Sequence, residues 1–116
     1  MFYIYIIAAK RNGALYTGHT DNLSQRVAEH KDGRYKGWAW DHACRYLVWY
    51  EAFKTRDEAF TRERRIKEWN RAWKLELIEK ENPAWIDISK FETWPPKAGG
   101  VQVEAGDYLP NKYAGG

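Results

Sequence analysis

Hydrophobic positions open the chain with a period of two: Phe2, Ile4 and Ile6 alternate with Tyr3, Tyr5 and Ile7, up to Ala9. That spacing predicts a strand, because successive side chains of a strand point to opposite faces. The Asn12-Gly13 pair that follows predicts a two-residue type I′ hairpin, since both residues tolerate the positive φ it needs. A second strand is expected over 14–18, with Ala9 opposite Tyr16. This register puts Tyr5 and Tyr16 on one face of the sheet but about 13 Å apart along the strands.

The period then changes. Asn22 is placed as an N-cap with Gln25 at the third helical position, Leu23 and Val27 pair one turn apart, and Gly33 is a stop; a helix over 23–31 follows. Arg26 and His30 project from one face of it, four residues apart. After a Trp- and Gly-rich loop, β-branched and aromatic residues over 45–53 predict a third strand. Thr55 and Glu58 form a capping box for a helix over 56–69, and Asn70 caps another over 71–80, which Pro83 keeps from continuing. The order β-β-α-β-α-α predicts an α+β fold: a small antiparallel three-stranded sheet flanked by helices. One domain is expected over 1–90, with a peripheral or disordered tail over 91–116, where Trp94-Pro95-Pro96 and glycines dominate.

Composition narrows the function classes. The 44% hydrophobic and 30% charged content belongs to a globular chain with one core. The apolar run at the start is too short to span a bilayer and lacks signal-peptide anatomy, so no membrane partner is expected. The single cysteine, Cys44, gives no reason for an oxidising compartment, and the cytoplasm is the expected location. Residues 1–80 hold 16 Lys and Arg against 11 Asp and Glu, whereas residues 81–116 hold 3 against 5. The basic excess lies in the folded part and suits a polyanionic partner.

Glu63 carries the most chemical information in its helix. Ala59, Glu63 and Ile66 fall on one stripe, so a carboxylate interrupts the core-facing side. One reading is a Glu paired with a nearby Arg at the edge of the stripe. The other is a metal ligand, because Mg²⁺ commonly takes only one or two carboxylates and fills its remaining positions with water and phosphate oxygens.

Tyr3-Ile4-Tyr5, ten further residues, Tyr16-Thr17-Gly18, then Arg26, His30 and Glu63 in order together resemble the GIY-YIG nuclease family, above all its small stand-alone bacterial members. The resemblance extends over 2–88 and includes Arg62 to Trp69 and Asn82 to Asp87. It implies a metal-dependent endonuclease that hydrolyses phosphodiester bonds in DNA. It places Tyr5 and Tyr16 at the active site, which requires a closer register than the type I′ hairpin allows. Tyr16 would position or deprotonate the attacking water, helped by a cation such as Arg26 or His19. Arg26 would hold the scissile phosphate through its planar fork. His30 takes a position the family fills with His or Tyr, and His19 one that related enzymes fill with Lys. Glu63 would hold one Mg²⁺ or Mn²⁺ ion, giving in-line hydrolysis that leaves 5′-phosphate ends. Tyr3 replaces the first Gly of the signature and Thr17 the Ile of its second half; neither supplies a catalytic group. Some relatives support the site with an Asn after the metal-binding helix, and Asn70 and Asn82 are both candidates.

Other readings compete. His19, His30, His42 and Cys44 suggest zinc, but no Cys-x-x-Cys is present and the His42-x-Cys44 spacing is unlike that of structural zinc sites. The tryptophans are expected in the core or at its rim, Trp49, Trp69 and Trp73 among them, while Trp38 and Trp40 in the loop are the candidates for base stacking. Arg62, Arg64 and Arg65 form a solvated helix face or a track for a DNA backbone. A catalytically idle nucleic-acid-binding module on the same fold is the chief alternative function. RNA stays open as a substrate, because no feature of the sequence reads a 2′-hydroxyl.

Overall fold

In a computed structural model that describes residues 1–34 and 36–90, the two alternating segments and the third apolar run pair into one antiparallel sheet. Its strands are β1 (Phe2–Ala8), β2 (Leu15–Thr20) and β3 (Tyr46–Phe53), in the order β2-β1-β3. The helices are α1 (Leu23–Asp32), a one-turn α2 (Trp38–Asp41) inside the Trp-rich loop, α3 (Arg56–Glu68) and α4 (Arg71–Glu81). A 3-10 turn follows at Ile88–Lys90. Apart from α2 and this last turn, the order is the β-β-α-β-α-α expected, and the fold is α+β. The predicted caps also form: Asn22 accepts from the Gln25 amide, Thr55 and Glu58 close a reciprocal capping box, Asn70 accepts from the Trp73 amide, and Gly33 ends α1 at φ 79°.

The sheet is covered on both faces. Tyr3, Tyr5 and Ile7 pack with Leu23 and Val27 of α1, while Ile4, Ile6 and Ala8 pack with Ala59 and Ile66 of α3 and Ile78 of α4. A register shift opposite Ile6 and Ile7 lets β3 send Leu47 and Tyr50 to the α1 side and Val48 and Trp49 to the α3 side. The central strand is thereby buried on both faces, and β2 is left as an edge. Trp73 departs from the expected pattern: it stands 55% exposed on α4 rather than in the core.

The hairpin differs from the expected one, and the difference sets the site. Asn12 alone carries a positive φ, 57°, whereas a type I′ turn needs two. Gly13 N–H donates to the Lys10 carbonyl at 2.8 Å and Ala9 N–H to the Ala14 carbonyl at 3.0 Å, so the loop spans Lys10 to Gly13. Tyr16 therefore lies opposite Ile7, and Tyr5 opposite Gly18. A tertiary contact braces this loop: the Arg71 guanidinium, at the start of α4, donates to the carbonyls of Asn12 and Gly13 at 2.6 and 2.7 Å. Local turn propensity contains no trace of that contact.

After α4 the chain crosses the β3 edge, with Trp85 in the α3 side of the core and Ile88 in the α1 side. Fully buried Asn82 fixes the crossing: its amide donates to the Val48 and Ile86 carbonyls and accepts from Ile86 N–H. Asp87 accepts from Leu47 N–H and pairs with Lys31 of α1. The tail expected over 91–116 lies outside the described residues. No helix among the described residues is long and apolar enough to cross a membrane.

Candidate active site

The observed register puts Tyr5 and Tyr16 two strand positions apart on the α1 face, and their ring centroids lie 6.3 Å from each other. Gly18 makes room for them. A Cβ built there would lie 2.6 Å from the Tyr5 hydroxyl oxygen and 2.7 Å from its ring, so the Tyr5 ring runs directly over this glycine. His30, one turn beyond Arg26 on α1, completes a three-ring cluster at 5.7 Å from Tyr5 and 5.6 Å from Tyr16. Its Nε2 shares a 3.0 Å hydrogen bond with the Tyr5 hydroxyl. Burial, and then the positive charge of Arg26, push the His30 pKa down to about 4, so the imidazole is neutral at physiological pH. Arg26 reaches this cluster electrostatically while its guanidinium stays partly exposed, with Nε 3.4 Å from Glu29.

A second group lies on the other face of the same edge strand. His19 is opposite Ile4, whose side chain packs on the α3 side. Its Nδ1 is 2.6 Å from Glu63 Oε1, and Glu63 is only 5% exposed. Lys67, four residues further along α3, holds Glu63 Oε2 at 3.0 Å. The Lys67 ammonium also lies over the Tyr16 ring, 6.0 Å from its centroid, and so bridges the two faces around β2. Phe60 packs edge-on against His19 at 5.8 Å and is 45% exposed.

The structure thus brings Tyr5, Tyr16 and His30 into one cluster with Arg26 coupled to it, and joins Glu63 to His19 across the strand. His19 is engaged by Glu63; the cation over the Tyr16 ring is Lys67, which the sequence reading did not single out. Its signal was present, since a Glu four residues before a Lys on a helix is a natural ion pair. Glu63 is buried and pairs with Lys67 rather than with the Arg that the first reading expected. Asn70 serves as the cap of α4 and Asn82 as the tie between β3 and the C-terminal segment. His42 stacks on Trp38 at 3.9 Å, and Cys44 is buried with its thiol toward the Ala14 carbonyl. Trp40 packs under the Arg45 guanidinium at 3.6 Å.

Glu63 is the residue suited to a metal. A single hard carboxylate is a donor set that fits Mg²⁺, which keeps waters and takes phosphate oxygens. Among the described residues no group of three or more His, Cys, Asp and Glu converges in the manner of an all-protein cage. Because Glu63 Oε1 already faces His19 Nδ1 and Oε2 the Lys67 ammonium, a bound metal would take the place of at least one of them.

Comparison with known proteins covers the stretch of chain that carries this cluster. Residues 1–76 match the family model described as the GIY-YIG catalytic domain. A UPF0213 protein of Staphylococcus haemolyticus is 38% identical over 78 residues, 67% of this chain and 94% of that protein. One from Clostridium perfringens is 37% identical over 82 residues, covering 71% of this chain and 87% of the relative. The solution NMR structure of a UPF0213 protein from Bacillus halodurans superposes with a TM-score of 0.50 at 27% identity, over 79% of this chain and 98% of that one. These names state no activity; the catalytic description comes from the family model. With that model spanning well over half the chain and relatives matched along nearly their whole length, the chain belongs to the GIY-YIG family, a nuclease-type family of catalytic domains.

Proposed function

We propose that this chain is a divalent-metal-dependent endonuclease that hydrolyses phosphodiester bonds in DNA at the edge strand β2. One observation supports this above the others. Side chains from β1, β2, α1 and α3 converge on that strand, with two phenols, an imidazole and a guanidinium on one face and a buried carboxylate on the other. The roles follow from the chemistry of each group. Arg26 binds the scissile phosphate, its planar fork matching two phosphate oxygens and the charge that grows on them. Tyr16, as the phenolate, orients the attacking water and accepts its proton to become the neutral phenol, and the Lys67 ammonium near its ring favours the phenolate from which the step starts. Neutral His30 holds the Tyr5 hydroxyl and keeps both rings in place. Glu63, with His19 beside it, would hold a Mg²⁺ or Mn²⁺ ion, which would supply charge neutralisation at the phosphate and at the departing 3′ oxygen. Attack in line breaks the bond from phosphorus to the 3′ oxygen and leaves 5′-phosphate and 3′-hydroxyl ends.

The test is metal-dependent nicking of supercoiled plasmid by the wild type and by Glu63→Gln. Glu63→Gln removes a ligand charge with little change of shape, so cleavage should vanish while folding and DNA binding persist. Full activity in Glu63→Gln would take that residue out of the reaction. Absence of wild-type cleavage on duplex, single-stranded, flap and branched DNA with either metal would favour the idle binding module.

A further inference from the structure

Trp40 illustrates what a structural tryptophan does in the α1 to β3 loop: one face carries the Arg45 guanidinium, and its ring edge fills the space that a Cβ on Gly33 would take. Trp38 does something else. It is 50% exposed, and its indole lies flat on the His42 imidazole, with planes 15° apart. The stack is held in place. His42 Nδ1 is 2.8 Å from the Trp38 carbonyl, to which the His42 backbone N–H also donates. Buried Ala39 and Cys44 anchor the turn beneath it, joined by a 2.9 Å bond from Cys44 N–H to the Ala39 carbonyl. Ala43 accepts a φ of 60° to make that turn, a conformation a non-glycine residue adopts only when its surroundings impose it. The same indole is 6.5 Å from the Tyr16 ring, with the planes 27° apart. Exposed Arg34 and Lys36 precede it in the same loop.

We propose that Trp38 and His42 form a nucleobase-stacking subsite beside Tyr16, occupied by a base adjoining the bond to be cleaved. This rests on the nuclease reading above and adds to it what the substrate must present. A rigid, water-exposed aromatic surface at the edge of a phosphate-binding cluster matches the one aromatic part of a nucleic acid. A base inside a continuous duplex has both faces covered by its neighbours, so the base that reaches Trp38 has left its stack. The preference is for the presence of a base rather than its identity, because every base offers a π-face.

The measurement is binding of the full chain, in EDTA so that no cleavage occurs, to two single-stranded oligonucleotides of equal length. One is intact; the other is abasic over its central stretch. Wild type should bind the intact strand roughly 5-fold to 100-fold more tightly, the range that stacking of one base supports. Trp38→Ala should lose that preference while keeping its affinity for the abasic strand, and Trp38→Phe should retain most of it. Trp38→Ala binding both strands as the wild type does, or weakening on both equally, would overturn the proposal. If the wild type binds duplex without any preference between the two single strands, the stacking subsite fails while the nuclease reading stands. If no nucleic acid binds at all, both fail together.

Discussion

At pH 7 the His30 imidazole is neutral, because burial and the neighbouring Arg26 charge hold its pKa near 4. In the unfolded chain it titrates near the ordinary histidine value of about 6.5. As pH falls from 7, the unfolded chain therefore binds the proton first, and stability drops between about pH 6.5 and 4. Below that window both states are protonated and the loss levels off, at a total on the order of 3 kcal/mol. Urea unfolding across this range should show the slope in the wild type and not in His30→Gln; identical profiles would mean that His30 is not buried as described. The residue types of the site were legible in the chain: two tyrosines, Arg26 and His30 one turn apart, and a carboxylate on an apolar stripe. Lys67 was less so, because its significance comes from lying over Tyr16, a residue of a different element.

Strand β2 owes its place in the site to a single register choice. The type I′ hairpin suggested by Asn12-Gly13 would keep Tyr5 and Tyr16 apart; the loop braced by Arg71 brings them together. Caps and strand periods act within a few residues, which is why helix and strand bounds could be read from the sequence to within a residue or two. Arg71 acts across the fold, and no local pattern reveals it. Trp73 is a related case, since its spacing on α4 predicts burial but no element among the described residues buries it. The register has a consequence at Gly18. Gly18→Ala should cost about 1–3 kcal/mol, because the new methyl would meet Tyr5, whose ring is 1% exposed and cannot withdraw. A thermal or urea midpoint unchanged from the wild type would mean that Tyr5 does not lie over the strand.

For the molecule as a whole, the fold collects its basic charge in the part that carries the site, while both faces of the sheet are spent on the core. Binding to DNA should therefore weaken steeply with salt, with a logarithmic slope of about 0.9 per phosphate neutralised. An affinity that does not change between low and high salt would contradict a polyanionic ligand. Binding alone, though, does not separate a nuclease from a protein that only holds DNA, and Arg26→Lys does. A positive charge that merely contacts backbone tolerates the exchange, whereas an oriented planar donor at a transition state does not. The decisive measurement is single-turnover cleavage of a labelled duplex by Arg26→Lys, with affinity for the same duplex followed separately. The nuclease account predicts a rate lower by roughly a hundredfold to a thousandfold at nearly constant affinity; rate and affinity falling together by a small factor would contradict it.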